Sequence, residues 1–129
     1  MKKKIIIADD NANIRLLLSE FLKSEFEVQT FDNGVTMLKY LEKGQKTDLI
    51  IMDVQMPHLN GWDIIQNLKV SQFHQNIPVL ILSGIEKTQE KIKFLEAGAE
   101  DYMVKPFSPE ELKVRINNIF KREEDAKAS

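Results

Sequence analysis

Three uninterrupted runs of apolar residues constrain the fold of this 129-residue chain most strongly. They are Ile5–Ala8, Leu49–Met52 and Val79–Leu82. A strand with one face in water alternates polar and apolar residues, whereas a strand covered on both faces is apolar throughout. We therefore expect three buried strands of a parallel sheet. Two further segments, Glu27–Phe31 and Tyr102–Lys105, are shorter or more polar, and we assign them to the edges of that sheet.

Helical periodicity fills the segments between the predicted strands. Apolar residues recur there at spacings of three and four, which places them on one face of a helix. The five predicted faces are Ile14, Leu17, Leu18, Phe21 and Leu22; Val35, Leu38 and Leu41; Ile64, Ile65 and Leu68; Ile92, Leu95 and Ala99; and Leu112, Ile116, Ile119 and Phe120. The final polar stretch, Lys121–Ser129, is expected to fray.

This repeated order of strand and helix predicts an α/β fold with a doubly wound, five-stranded parallel sheet. Crossover connections in such sheets are right-handed, which leaves few arrangements of the strands. The second and fifth strands are the least apolar, so they belong at the edges. The predicted strand order is 2-1-3-4-5.

The composition excludes several classes of function. No cysteine is present, which removes disulfides, thiolate zinc sites and thiol nucleophiles. The 18 basic and 20 acidic side chains give a net charge of −2, so no basic field is offered to nucleic acid. No apolar run approaches the length of a membrane span, and Ile5–Ala8 is too short for the core of a signal peptide. We expect a cytoplasmic domain that contacts neither nucleic acid nor membrane.

Reactive side chains stand where the predicted strands end. Asp9 and Asp10 follow the first strand, Asp53 follows the third, Ser83 follows the fourth, and the fifth ends at Lys105. In doubly wound sheets, sites form beyond the carboxyl ends of the strands, at the point where the connections diverge. The order 2-1-3-4-5 places that point between the first and third strands. The three aspartates should therefore converge.

A purely structural interpretation stays open for several of these residues. Asp9 and Asp10 precede Asn11 and a helix, as residues that cap a helix do. Ser83 alone is common at a strand end, and Lys105 alone is usually solvated. Asp53 is different, because the next predicted helix begins well beyond it.

The chemistry of the predicted cluster favours phosphoryl transfer. Adjacent carboxylates repel one another unless a cation lies between them, and oxygen ligands favour a hard ion such as Mg²⁺. An aspartate can accept a phosphoryl group to give an aspartyl phosphate. A lysine and a serine hydroxyl beside it can stabilise the phosphoryl oxygens.

The chain resembles the receiver domain of two-component response regulators over essentially its whole length. The matching motifs are Asp9-Asp10, Asp53-x-x-Met56-Pro57-x-x-x-Gly61, Ser83-Gly84 and Lys105-Pro106-Phe107. The resemblance implies a flavodoxin-like or CheY-like (βα)5 fold, with a receiver domain over residues 1–122 and a polar tail over 123–129.

The resemblance also implies a role for each site residue. Asp53 would accept the phosphoryl group from a sensor histidine kinase or a phosphotransfer protein, while Ser83 and Lys105 hold its oxygens. Tyr102 occupies the position of a switch aromatic, which swings inward as Ser83 moves toward the phosphate. The Lys105–Pro106 peptide bond is expected to be cis. Such a domain is a signalling switch that assists its own phosphorylation and dephosphorylation, and not an enzyme with a separate substrate.

The same resemblance supplies a metal site. Mg²⁺ would bind directly to Asp10, Asp53 and the backbone carbonyl of Gln55, and through a water molecule to Asp9.

The final third of the chain is similar to receivers of winged-helix transcription regulators. Those receivers form homodimers through the fourth helix, fifth strand and fifth helix, using ion pairs between subunits. The charged residues that would form such pairs here are Lys91, Asp101, Glu111, Arg115 and Arg122. Charges on a solvated helix face are also ordinary, since an exposed ion pair contributes only about 0–1 kcal/mol.

Two other functions are considered. A Mg²⁺-dependent phosphatase with an aspartyl nucleophile typically has a second acid two residues after the nucleophile, where this chain has Gln55. A protein-interaction module that has kept only the fold is the other alternative. The presence of Asp10, Asp53, Ser83 and Lys105 together argues against that module.

Overall fold

The computed structural model describes residues 1–128 and contains one five-stranded parallel sheet. Its strands are β1 (Lys4–Ala8), β2 (Glu27–Phe31), β3 (Leu49–Asp53), β4 (Val79–Ser83) and β5 (Asp101–Val104). The spatial order is β2-β1-β3-β4-β5, and every neighbouring pair is parallel. The predicted fold class and strand order are therefore confirmed.

Five helices cover the two faces of the sheet. They are α1 (Ala12–Leu22), α2 (Gly34–Glu42), α3 (Gly61–Val70), α4 (Thr88–Glu96) and α5 (Pro109–Ala128). Successive strand residues point to opposite faces, so Ile5 and Ile7 pack with α1 and α5, whereas Ile6 and Ala8 pack with α2, α3 and α4. This two-sided burial explains why the central strands are apolar throughout. None of the described helices combines the length and the apolar character that a membrane crossing requires.

The register of the sheet aligns the carboxyl ends of four strands. Ala8 of β1 pairs with Met52 of β3, so the residues that follow them, Asp9 and Asp53, are neighbours. Ser83 pairs with Val104, which places Lys105 just beyond the end of β4. The polar residues after these strands therefore share one edge of the sheet.

The structure differs from the sequence-based prediction in α5. Residues 121–128, predicted to fray, continue this helix, and Ser129 lies outside the described residues. This segment consists largely of Glu, Lys, Arg and Ala, which are strong helix formers, and contains neither glycine nor proline. Arg122 also lies 3.9 Å from Glu100, which ties this part of the helix to the segment before β5.

The predicted buried faces of two helices are partly wrong. In α4 the buried residue is Phe94, whereas Ile92 and Leu95 are 47% and 38% exposed. In α1, Leu17 is 52% exposed, and Leu18 and Leu22 form the buried face. In both helices more than one set of residues fits a spacing of three and four, so periodicity alone does not show which side chains face the sheet.

Candidate functional site

Three carboxylates meet at the carboxyl ends of β1 and β3. Oxygen atoms of Asp9, Asp10 and Asp53 all lie within 4.8 Å of one another. Asp9 and Asp53 are buried, and Asp10 is exposed. The sequence predicted this convergence from the strand order, because the two remote segments that carry these aspartates meet only if β1 and β3 are neighbours.

Lys105 supplies the positive charge of the cluster. Its ammonium nitrogen lies 2.9 Å from Asp9 Oδ2 and 3.2 Å from Asp53 Oδ2. Burial lowers the pKa of Lys105, but the hydrogen bond to Asp9 and the charge of Asp53 outweigh it, so this pKa is raised overall. Lys105 is therefore a fixed cation in the site. The peptide bond to Pro106 is cis, as expected.

Asp9 does not cap α1. The cap is Asn11, whose side chain accepts hydrogen bonds from the amides of Asn13 and Ile14. Asp9 Oδ1 accepts the Asn11 amide at 2.9 Å, and its other oxygen faces Lys105. Asn11 is therefore the capping residue, and Asp9 and Asp10 belong to the acidic cluster.

The electrostatics of Asp53 favour a cation. Its pKa is raised by burial and by the charge of Asp9, although Lys105 and the amide of Gln55, at 3.3 Å from Oδ1, act in the opposite direction. An ionised Asp53 is therefore costly in the structure as it stands. The available ligands are all oxygens, and one carboxylate is open to solvent, so the residues fit a hard divalent ion that keeps some of its water.

Ser83 and Tyr102 converge on one residue of the β4–α4 loop. The amide of Ile85 donates to Ser83 Oγ at 3.0 Å, and the Tyr102 hydroxyl donates to the carbonyl oxygen of Ile85 at 3.0 Å. Tyr102 is 3% exposed, and burial raises its pKa. The ring expected to swing inward upon phosphorylation thus already lies inward in this structure.

The charged residues predicted for a dimer interface are paired mostly within the chain. Arg115 lies 2.9 Å from Asp101 and 3.5 Å from Glu111, and the hydrogen bond to Asp101 raises the arginine pKa. Lys91 is exposed on α4. Leu95, which was predicted to be buried, is exposed one helical turn from Lys91.

One contact to the acidic cluster was not predicted at all. Arg15 of α1 donates a hydrogen bond to the backbone carbonyl of Asp9 at 2.7 Å. Its position one helical turn after the capping Asn11 is the available sequence signal, and it is a weak one.

Residues 5–117 match the sequence profile described as the response regulator receiver domain. This match covers most of the chain and includes Asp9, Asp53, Ser83 and Lys105. The chain belongs to this family. It is a receiver domain of two-component response regulators, whose general function is switching by phosphorylation.

Curated relatives of this receiver domain are transcriptional regulators. The alkaline phosphatase synthesis transcriptional regulatory protein PhoP of Bacillus subtilis is 38% identical over 130 residues, which cover 100% of this chain and 53% of that protein. This chain spans about half the length of the curated relatives it matches.

Solved receiver structures share the fold. The receiver domain of the Francisella response regulator 1452 is 32% identical, with a TM-score of 0.86 over 95% of this chain and 99% of that one. The BeF3-activated receiver domain of DrrB is 30% identical, with a TM-score of 0.82 over 94% of this chain and 99% of that one.

Proposed function

We propose that Asp53 is the phospho-acceptor of this receiver domain. The observation that carries the proposal is the environment of its carboxylate, which lies 3.2 Å from Lys105 and beside Asp9 and Asp10. Lys105 can neutralise charge on an incoming phosphoryl group, and Ser83, at the adjacent strand end, can donate its hydroxyl proton to a phosphoryl oxygen. The donor is a histidine kinase or a phosphotransfer protein that carries a phosphohistidine.

The phosphoryl transfer requires only Asp53 and the phosphohistidine of the donor. A carboxylate oxygen of Asp53 forms a bond to phosphorus while the phosphorus–nitrogen bond of the donor breaks. The imidazole leaves with the electron pair and then takes up a proton. Hydrolysis ends the signal, as water attacks the phosphorus, the bond to Asp53 breaks, and phosphate is released. The domain thereby assists its own phosphorylation and dephosphorylation.

Mg²⁺ is the cofactor that fits this site. We assign its direct protein ligands to Asp10, Asp53 and the backbone carbonyl of Gln55, with Asp9 acting through water. When bound, the ion offsets charge on the phosphoryl oxygens. The support in this chain is the set of carboxylate oxygens within 4.8 Å of one another and the raised pKa of Asp53.

The partners follow from the same assignment. Besides the phosphoryl donor, we propose a homodimer through α4, β5 and α5, where Leu95 and Val114 are exposed apolar residues beside the charged ones. Relatives named as transcriptional regulators support gene regulation as the output. Because the net charge of this chain is −2, we do not assign direct binding of nucleic acid to it. Its location in the cytoplasm stays a prediction.

A small phosphodonor tests the assignment of Asp53. Incubation with acetyl phosphate and Mg²⁺ should add one phosphoryl group, and borohydride trapping followed by mass spectrometry should place it on Asp53. The Asp53→Asn variant should remain unlabelled, and Asp125→Asn, which changes an exposed carboxylate of α5, should be labelled like the parent. Label on Asp9, or undiminished labelling of Asp53→Asn, overturns the assignment.

A further inference from the structure

Every backbone and side-chain polar group of Asp9 has a hydrogen-bond partner. Its amide donates to the carbonyl of Phe31 at 3.1 Å. Its carboxylate accepts from Asn11 on one oxygen and from Lys105 on the other, both at 2.9 Å. Its carbonyl oxygen accepts from Arg15 Nη1 at 2.7 Å. The last of these bonds comes from a helix and not from the sheet edge, so it fixes the peptide group after Asp9 independently of β1.

That peptide group carries Asp10. The Asp9 carbonyl and the Asp10 amide lie in one rigid plane, so the bond from Arg15 restricts how the Asp10 backbone turns out of β1. In the described part of the chain, the Asp10 carboxylate itself has no hydrogen-bond or ion-pair partner. The direction of this carboxylate therefore depends on the backbone that Arg15 holds.

Arg15 is not simply another ion-pair partner of the acidic cluster. Among the described residues, no carboxylate oxygen lies within 4.0 Å of its guanidinium nitrogens. A guanidinium keeps its charge at any ordinary pH, and a positive charge beside a cation site opposes the binding of a second cation. Arg15 thus has two effects of opposite sign, since its hydrogen bond orders a ligand while its charge repels the ion.

We propose that Arg15 is a positioning residue for Mg²⁺, which holds the Asp9–Asp10 peptide so that the Asp10 carboxylate faces the site, and that this ordering outweighs the repulsion. The inference rests on the proposed metal ligands. It concerns a residue outside that ligand set, and it predicts the sign of a change in affinity.

Titration of the metal-free protein with Mg²⁺ tests whether replacing Arg15 weakens or strengthens the binding of the ion. Trp62 is the single tryptophan of the chain and lies at the start of α3, soon after Asp53, so its fluorescence serves as the signal. Arg15→Met removes both the charge and the donors. We expect its dissociation constant for Mg²⁺ to rise about tenfold, as for residues that orient metal ligands. The loss should persist at about 1 M KCl, where charge repulsion is screened.

Two further variants make the outcome decisive. Lys121→Met removes an exposed cation of α5 and should leave Mg²⁺ affinity unchanged. Asp10→Ala removes a proposed ligand and should abolish binding. If Arg15→Met binds Mg²⁺ as tightly as the parent or more tightly, while Asp10→Ala does not bind it, the role of Arg15 is overturned and the metal site stands. Parent-like binding by Asp10→Ala instead overturns the proposed metal site.

A second readout separates positioning from general loss of structure. In the absence of metal, the Asp10 amide resonance should shift in Arg15→Met, because the carbonyl of the same peptide group loses its donor. The urea midpoint should fall only slightly, because a single hydrogen bond is lost. An unshifted Asp10 amide would mean that Arg15 does not hold this peptide.

Discussion

At the scale of single residues, the acidic cluster is a balance between burial and charge. Three carboxylates share one ammonium, that of Lys105, which contacts two of them. The pKa of Asp53 is raised in spite of this contact, because burial and the charge of Asp9 dominate. The folded chain therefore holds a proton on Asp53 more tightly than the unfolded chain does, and ionisation of this residue opposes folding.

Asp53→Asn should consequently stabilise the metal-free protein at neutral pH. The ordinary pKa of the carboxyl is 3.8, and the folded value lies above it. Ionising Asp53 lowers the free energy of unfolding. This loss is fully present when the pH is above the pKa of Asp53 in the folded protein, and it disappears as the pH falls toward 3.8. Urea unfolding at a series of pH values should show a higher free energy of unfolding for Asp53→Asn than for the parent at pH 7, and this difference should shrink on acidification.

Asp125→Asn is the matched control, because it removes one exposed carboxylate of α5 and should show no such pH dependence. A lower stability of Asp53→Asn at pH 7 would contradict the assigned electrostatics. Addition of Mg²⁺ should reduce the difference between the parent and Asp53→Asn, since the ion offsets the same charge.

The residues of the site were largely predictable from sequence, since they follow apolar strands whose order is constrained. Asp9 and Lys105 come directly after a strand of the sheet, and Asp53 is the last residue of one. Arg15 was not predictable, because its bond goes to a backbone carbonyl, and any residue has one of those. The inward position of Tyr102 was also beyond reach, since sequence does not distinguish two rotamers of one side chain.

At the scale of secondary-structure elements, the start of α3 packs tightly against the end of β3. A Cβ atom on Gly61 would lie 2.9 Å from Val54 Cα and 3.2 Å from the Asp53 carbonyl oxygen, both of them backbone atoms. The Gly61 amide also donates to the Val54 carbonyl at 2.8 Å. The glycine therefore permits a close approach of helix and strand immediately after Asp53.

Gly61→Ala should displace α3 from β3 and lower the free energy of unfolding by about 1–3 kcal/mol, as overpacking does. Mg²⁺ affinity should fall as well, because Asp53 lies at the displaced end of the strand. Gly84→Ala is the control, since a Cβ there meets no atom within 4 Å. Equal urea midpoints for the two variants would show that the approach of α3 to β3 is not tight in solution.

Helix α4 shows where periodicity fails as a predictor. Of its three apolar residues, only Phe94 is fully buried. The ring centroid of Phe94 lies 5.5 Å from that of Trp62 and 6.0 Å from that of Tyr102. Ile92 and Leu95 are exposed instead. Phe94 is buried because it contacts aromatic residues on α3 and β5. A rule based only on the spacing of apolar residues does not predict such contacts.

At the scale of the whole molecule, self-association depends on which residues are unpaired in the single chain. Arg115 is already paired with Asp101, so new ion pairs between copies would replace existing ones with little net gain. Leu95 and Val114 are exposed and apolar, and their removal from water is favourable. We therefore expect apolar contact to supply the affinity of the proposed dimer and ion pairs to supply its register.

Leu95→Glu should weaken the dimer formed with beryllofluoride and Mg²⁺ by at least about tenfold, equivalent to about 1.4 kcal/mol, as measured by sedimentation velocity. Val70→Glu places the same charge at an apolar and more exposed residue on α3, outside the proposed interface, and should leave the dimer intact. Arg115→Gln should weaken it less than Leu95→Glu. A dimer that survives Leu95→Glu, or fails equally in Val70→Glu, does not use this face.

The register that brings Lys105 beside Asp53 also has a consequence for biosynthesis. Ribosomes release the chain from its amino terminus, so all three aspartates emerge before the lysine that completes their site. Strand β5 pairs only with β4 at the edge of the sheet and delivers Lys105 last. Under the proposed assignment, a nascent or truncated chain that ends before residue 105 carries an acceptor without its counter-ion. Under this assignment, the ability to accept a phosphoryl group arises only once the last strand of the sheet and Lys105 have been made.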